Sequence, residues 1–529
     1  MHLKRIIRIT ALIVAGACLG AGLLACATPG RPAVDTSIGP RPLEEAEKAI
    51  TAPREPDVVP VSAAPADPLS ITVEDAVVMV LANNRSLAVE KYTPAIRKTA
   101  EDEERAAFDP VIGGGVSRYR EKSEIPGRTT RESLTNEIQA GLGVSEFLPT
   151  GTDVEVALLT ERTWSDLYTD DLYGTRIGLS ATQALLRGVG LQYNLARLRQ
   201  ARIDTRASQY ELRGFAEALV GEVEETYWDY ALIERQIEIF LESLRLAEQQ
   251  KKETEEMVRI GTLAESELTA AEAEIALRRE GLINARSNLE KTRLALLRLL
   301  NPSDGNLWQR TIEILYEPQL PEVTLDEVES HVGVALRMRP DLNQSRLQVE
   351  RGDLDIARTK NGLLPKMDLF ITFGKTGYAD SFGRSVDDID GDSYDMLAGL
   401  SLEYPFVNRG ARARYERARL TRRQTEEAVE NLAQLVQVDV RSAYIEVTRT
   451  REQIAATAAT RALQEEKARI EREKFRVGKS TTLMVAQAQR DFLESRISEI
   501  QAITNYLKAL VSLYRLEGSL LERRGIVIE

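Results

Sequence analysis

Val258-Arg259-Ile260-Gly261 and Phe475-Arg476-Val477-Gly478 are nearly the same phrase, written twice at a shift of 217 positions. The same shift lays Leu297-Arg298-Leu299 on Tyr514-Arg515-Leu516 without a gap. A register kept from one match to the next marks an internal duplication. Upstream the shift becomes 255: it sets Asn84-Arg85-Ser86-Leu87 on Arg339-Pro340-Asp341-Leu342, and Asp109-Pro110 on Leu364-Pro365. Each half therefore reads helix, strands, long helix, glycine tip, helix. The shift changes because the segment from Pro110 to Gly188 is longer than that from Pro365 to Gly410. This leaves room for about four strands in the first half and two in the second.

Outward from the tips the chain is unusually free of breakers. No proline occurs between Pro149 and Pro302, or after Pro405. Asn194 to about Met257 and Arg412 to about Phe475 are dominated by Ala, Leu, Glu, Arg and Gln. As helices they would extend roughly 100 Å each. Behind the second tip, Leu493, Ile497, Ile500, Thr504, Leu507, Val511 and Tyr514 fall at alternating steps of three and four, a coiled-coil seam. Leu268, Ala271, Ile275, Leu282, Ala285, Leu289 and Leu296 keep a similar rhythm behind the first, with polar lapses at Arg278 and Thr292.

Between the rods the period falls to two. Ile138, Ala140, Leu142 and Val144 alternate with small or polar residues; after a Leu148-Pro149-Thr150-Gly151 turn, Val154, Val156 and Leu158 do the same, and then Ile177, Leu179 and Ala181. The second half repeats this at Met367, Leu369, Ile371 and Phe373 and at Met396, Ala398, Leu400 and Leu402. Strands with one apolar and one small or polar face suit lipid outside and water inside. A soluble sandwich is the competing reading, disfavoured by so few strands among such long helices.

Lys4, Arg5 and Arg8 precede an apolar run from Ile9 to Leu24 that ends in Leu23-Leu24-Ala25-Cys26. That is the pattern of a secretory signal closed by a lipobox, so residues 1–25 are expected to be removed and Cys26 to carry acyl chains. Ala27 in place of Asp favours the outer membrane. Removal of the signal takes the formal charge from −13 to −16, which argues against a nucleic-acid partner. Only Cys18 and Cys26, and only His2 and His331, are present. Disulfides, histidine triads and metal cages are thereby excluded, and neither enzyme chemistry nor a cofactor or metal is expected. No later apolar run is long enough for a spanning helix, so any crossing must be a barrel. Residues 26–70 form a Pro/Ala-rich tether.

The order of these features resembles the TolC-like outer-membrane efflux family, in its lipid-anchored, OprM-like type. The resemblance runs from Ile71 to Leu521. It is carried by the Asn84-to-Leu87 entry, Gln183-Ala184-Leu185-Leu186-Arg187-Gly188, its partner Tyr404-Pro405-Phe406-Val407-Asn408-Arg409-Gly410, and both Arg-x-Gly tips. It implies a mainly helical protein with transmembrane β-strands, in which three copies close one barrel that continues into a periplasmic helical tunnel. Members usually give four strands per chain; the longer first half raises the alternative of six. The expected divisions are a first repeat over 71–300, a linker in the equatorial region over 301–325, a second repeat over 326–521 and a tail over 522–529.

The family also implies a periplasmic adaptor, an inner-membrane pump of RND or ABC type and outer-membrane lipid as partners. Adaptor docking is expected at the tips, at Arg259, Gly261 and Thr262 and at Arg476, Gly478 and Lys479. Glu267 stands where relatives carry an acidic latch residue, but Ser480 replaces its usual arginine partner. Met484 and Gln487 replace acidic rings, so a gate of small and apolar side chains is expected. The arginines near the helix ends also suit the helix dipole on structural grounds alone. Two motifs are discounted. Gly478-Lys479-Ser480 lacks the leading glycine of a phosphate loop, with Glu473 in its place. Asp388-Ile389-Asp390-Gly391-Asp392 has its glycine too early for a calcium loop and reads as an acidic loop between strands. A lipid-anchored coiled-coil scaffold without a pore is the competing function.

Overall fold

The computed structural model describes residues 68–125, 131–165, 170–302, 307–315 and 324–526. The expected signal peptide, Cys26 and all but the last three residues of the tether lie outside these. In chain order the first half comprises β1 (Leu69–Ile71), α1 (Val73–Asn83), α2 (Arg85–Glu90), α3 (Tyr92–Arg105), β2 (Val111–Ile125), β3 (Arg131–Leu148), β4 (Thr152–Ser165), β5 (Leu172–Ala184), α4 (Leu191–Asn194), α5 (Ala196–Arg259) and α6 (Ser266–Leu300). After β6 (Ile312–Ile314) the second half comprises α7 (Val328–Met338), α8 (Pro340–Asn361), β7 (Lys366–Ala379), α9 (Phe382–Asp387), β8 (Tyr394–Glu403), α10 (Arg409–Arg476), α11 (Thr482–Glu517) and α12 (Leu520–Arg523). Among the described residues two compact units form, each drawn from both halves: one holds 105–195 and 360–412, the other 68–104, 196–359 and 413–526.

The first unit is a six-stranded sheet in the order β2-β3-β4-β5-β7-β8. Every neighbouring pair is antiparallel. The first half gives four strands and the second two, which settles the alternative left open by the sequence in favour of six. The period-two stretches fall in β3, β4, β5, β7 and β8. β2 went unread because Gly113-Gly114-Gly115 leaves its alternation without side chains to show it.

The second unit is helical. Its rods α5 and α10 contain 64 and 68 residues, close to the bounds read from the absence of proline. Local chemistry fixes the shorter elements. Thr72 and Asp75 form a reciprocal capping box that starts α1, with Asp75 N–H 3.1 Å from Thr72 Oγ1 and Thr72 N–H 3.1 Å from Asp75 Oδ2. Asn84 caps α2 through Leu87 N–H at 3.0 Å and donates to Leu299 O at 2.9 Å. β1 and β6 pair in parallel, Leu69 with Ile312 through Ile71 with Ile314, so the end of the tether and the middle of the linker share a small sheet.

The two larger apolar clusters of this unit are related by the duplication. Val77, Val80, Leu219, Val223 and Leu296 are buried in the first; their shift partners Val332, Ala335, Val436, Val440 and Leu513 are buried in the second. α11 contributes to both, with Leu507 and Val511 in one and Ala502, Tyr506, Ala509, Leu510 and Leu513 in the other. The three-four seam is therefore one of two buried stripes on that helix. In α6 the lapse at Arg278 is also buried: it pairs with buried Glu274 at 2.5 Å, and burial holds its guanidinium below the ordinary value. The chain beyond Leu521 is folded as far as Ile526, with Leu520 and Leu521 buried in the first cluster.

Candidate functional site

Each rod ends in the same turn. Gly261 donates to Val258 O at 3.0 Å and Thr262 to Met257 O at 2.9 Å; Gly478 donates to Phe475 O at 2.9 Å and Lys479 to Lys474 O at 2.7 Å. These are the paired bonds of a Schellman C-cap, which consume carbonyls otherwise orphaned at the helix end. They require the left-handed region at the residue after the cap, and both glycines occupy it, with φ of 78° and 73°. A side chain there is strained by roughly 1–2 kcal/mol. The residue before each glycine is apolar and protrudes: Ile260 and Val477 are both 68% exposed. Around both glycines a Cβ would meet open space.

Each tip arginine pairs with a glutamate one turn back on its own helix, and Arg476 also reaches across to the other rod. Arg259 pairs with Glu256, and Arg476 with Glu473 at 3.3 Å and with Glu253 of α5 at 3.9 Å. The repeated unit is thus Glu-x-x-Arg-x-Gly, longer than the Arg-x-Gly read from the sequence; the acidic residue was visible at the same 217 shift. Glu256 and Glu473 are solvent-facing, so these pairs contribute little to stability. They orient the guanidinium at the tip.

Glu267 lies in the first turn of α6 and forms no ion pair among the described residues. Ser480 donates to Glu471 Oε2 at 2.9 Å, and Glu471 also receives Lys474 at 2.6 Å. Both bonds hold the Glu471 carboxyl below its usual range. Ser480 therefore clips its own hairpin together, and among the described residues no hydrogen bond joins it to Glu267. Met484 and Gln487, three residues apart, are both exposed on α11. Lys479 and Ser480 follow a 68-residue helix rather than a strand, which removes the context of a phosphate loop.

The sheet has two chemically distinct faces. Its register links Val144, Val156, Leu179, Phe373 and Met396 in one rung across five strands. A neighbouring rung on that face runs Val154, Ala181, Ile371 and Ala398. Every apolar residue picked out by its alternation lies on this face, and several of them are open: Val144, Val156, Leu179 and Phe373 are 44–48% exposed and Met396 67%, while Ala140 is buried. The opposite face carries the rung Gly143, Ala157, Gly178, Gly374 and Asp395. Across those glycines lies Arg176, donating to Asp395 at 3.0 and 2.7 Å.

At the end of the sheet away from the helix junctions the apolar face turns aromatic and basic. Arg162 stacks over Trp164 at 4.9 Å and Tyr173 at 5.6 Å and donates to Asp171 at 3.0 and 2.6 Å. Next to it α9 seats on the same face, Ser385 Oγ lying 2.7 Å from Thr175 Oγ1. The acidic loop read between the strands is thus folded: Asp388 accepts from Tyr378 N–H at 2.9 Å, so its carboxylate is spent on backbone. No group of side chains able to hold a metal, and no helix long and apolar enough to cross a membrane, occurs among the described residues.

No curated protein sequence matches the chain. Residues 332–519 match the family model described as outer membrane efflux protein. Among solved structures, the outer-membrane channel OprN superposes with a TM-score of 0.64 at 18% identity, over 84% of this chain and 90% of its own. CusC gives 0.63 at 18%, over 84% and 92%. The CmeC outer membrane channel of Campylobacter jejuni gives 0.61 at 17%, over 85% and 86%. Residues 332–519 thus resemble the outer membrane efflux protein family, and over most of its length the chain has the TolC-like fold of these channels.

Proposed function

We propose that this chain is the outer-membrane channel subunit of a tripartite efflux or type I secretion system, a passive duct from periplasm to exterior. One observation carries the reading: a sheet whose apolar alternation falls on one face, much of it exposed, while the other face is mostly small and polar. An apolar patch of that extent, crossing several strands, is not left to water. A lipid-facing wall uses it, and the aromatic and basic end of that face suits a membrane interface. In lipid every backbone group needs a partner, so the open sheet must close with other copies, and a homotrimer fits the fold.

The tips are the docking points for a periplasmic adaptor. Ile260 and Val477 offer matched exposed apolar knobs, and Gly261 and Gly478 let a second backbone approach. Arg259, Thr262, Arg476 and Lys479 flank them. Transport energy comes from an inner-membrane pump of RND or ABC type, because a duct without nucleotide or ion chemistry supplies none. Met484 and Gln487 line the closing end without an acidic ring, and with Ser480 turned to Glu471 the latch to Glu267 is absent. Cys26 carries the lipid anchor; Cys26→Ser should abolish palmitate labelling, and persistent label would remove it from that role.

Purified protein in planar bilayers tests the main reading. Discrete single-channel conductance from a species of three-chain mass is the expected result. A monomeric mass with no conductance would favour the scaffold without a pore.

A further inference from the structure

The end of the sheet away from the helix junctions is sorted by charge. On β2, Arg118, Arg120 and Lys122 recur at the period of the strand, so all three stand on the apolar face beyond Val116. Their register partners on β3 are Ile138, Asn136 and Leu134, and β4 adds Arg162 beside Ile138 and Trp164 beside Asn136. Glu121, Glu137 and Glu161 fall on the opposite face. From 118 to 122, 134 to 138 and 161 to 164, every cation is therefore on one face and every carboxylate on the other.

A sheet face bathed in water relieves such a row with acids on the neighbouring strand. Here the neighbours are two apolar side chains and an amide, although residues two apart on one face are only about 7 Å from each other and like charges repel. Arg118 and Arg120 are exposed and pair with no carboxylate among the described residues. Arg162 has one, Asp171, at 2.6 Å. The Trp164 ring gathers two of the guanidinium groups, Arg162 at 4.9 Å and Arg118 at 6.0 Å from its centre, which holds them at one level of the wall.

That level closes the apolar band. On β4 the band opens at Val154 and continues through Val156 and Leu158, and Arg162 comes eight residues after Val154. Eight residues of strand extend about 27 Å, or about 21 Å of height at a tilt of about 40°, close to the apolar band of about 25 Å on a lipid-facing barrel wall. The cations thus begin where hydrocarbon gives way to headgroups. Acyl chains covering the apolar face would bring their own headgroups to this row, and only an anionic headgroup supplies the countercharge that the face lacks.

We propose that Arg118 and Arg120, with Lys122 beside them, bind the phosphate groups of an anionic lipid whose acyl chains lie on the apolar face. This rests on the channel reading above, which turns that face to lipid. A guanidinium fork matches two phosphate oxygens, so the two arginines carry most of the contact. Trp164 supports the row from below as an interfacial ring.

Lipid titration of the full-length protein in detergent tests this, with diphosphorylated lipid A, phosphatidylcholine and inorganic phosphate as the probes. Lipid A should bind in preference to phosphatidylcholine and loosen as salt is added. Arg118→Ser with Arg120→Ser should weaken lipid A binding about thirtyfold, about fivefold for each cation lost at an anionic lipid surface. Arg118→Lys with Arg120→Lys should keep most of it, and Glu121→Gln with Glu137→Gln, on the opposite face, should not weaken it. Phosphatidylcholine bound as tightly as lipid A by the parent protein would leave only an interfacial belt and overturn the proposal, whatever the variants do. Serine variants that bind like the parent also overturn it, as does inorganic phosphate that displaces lipid A at equal phosphate concentration, which would mark a site for soluble anions. Conductance of the same preparation in planar bilayers separates the failures. A pore without preference for lipid A overturns this inference and leaves the channel standing, whereas loss of both overturns the channel reading with it.

Discussion

The two repeats share a fold but differ where they end. Asn301, at φ 42°, closes α6 at the position where Gly518, at φ 69°, closes α11, 217 residues later. The residues just before them diverge. Leu300 packs in the first core with Ala76; the shift partners are Glu517 and His331, buried and bonded to each other through Glu517 Oε1 and His331 Nδ1. A hydrocarbon contact has become a polar one. Glu517 Oε2 accepts from Ser519 at 2.7 Å and Arg523 at 3.3 Å, so the polar version ties the end of α11 to the C-terminal segment.

That segment also completes the first repeat. Arg441 on α10 reaches Glu329 at 3.0 and 3.1 Å. Its shift partner on α5 is Glu224, fully buried, whose arginine arrives from the far end of the chain: Arg524 donates at 2.7 and 2.5 Å. One repeat makes its ion pair from its own helices; the other borrows a cation from the C-terminus. A duplicated fold can thus be locked by a single unduplicated tail.

Removing the borrowed cation should have the largest effect. Arg524→Ala leaves Glu224 charged and unpaired in the core and should cost about 3–5 kcal/mol, read as a fall in the denaturant midpoint of the detergent-solubilised protein. Loss of under about 1 kcal/mol would show that Glu224 is not held this way. Glu517→Leu, which writes the first repeat's residue into the second, should cost about 2–3 kcal/mol because His331 and Ser519 lose their acceptor. Adding His331→Ala restores the whole apolar pair and should recover part of that loss. A double variant no more stable than the single one would mean that the two positions do not answer each other.

The tips differ in fastening. Thr481 caps α11 through Met484 N–H at 3.3 Å, and Ser480 clips to Glu471; α6 starts from Glu265 with no side-chain cap. Thr481→Ala should cost about 1 kcal/mol and raise amide exchange around Gly478 toward that around Gly261. Exchange already equal at the two tips in the parent protein would erase the distinction.

Much of the fold was legible because it is periodic or punctuated. The absence of proline marked both rods, alternation marked five strands, and the glycines marked the turns. Where the signal failed, the physics explains it. Three adjacent glycines hid β2, a three-residue strand such as β1 or β6 has no period to show, and a helix serving two cores showed only one of its stripes. At the candidate site, positive φ could be read from Gly261 and Gly478. The ion pairs of Arg259 and Arg476 needed the acidic residue one turn back, and the bond from Ser480 to Glu471 spans nine positions with no motif. His331 was counted in the sequence only to exclude chemistry, and its partner lies 186 residues away.

The finest contrast between the repeats is electrostatic and pH-dependent. Glu217 is buried on α5, and its shift partner on α10, Gln434, is exposed. Burial pushes the Glu217 carboxyl up from an ordinary 4.5 to about 7, against the pull of Arg213 at 3.2 Å. The folded state therefore holds this proton more tightly than the unfolded chain between those two values. By linkage its contribution to stability grows as pH falls from 7 toward 4.5, and is lost as pH rises through 7. Glu217→Gln gives the first repeat the second's side chain and removes the titration, so the stability difference between variant and parent should shrink in acid and widen in favour of the variant above pH 7. Midpoints at pH 5 and pH 8 decide it: a difference that does not change between them would mean that Glu217 stays ionised, with Arg213 compensating in full.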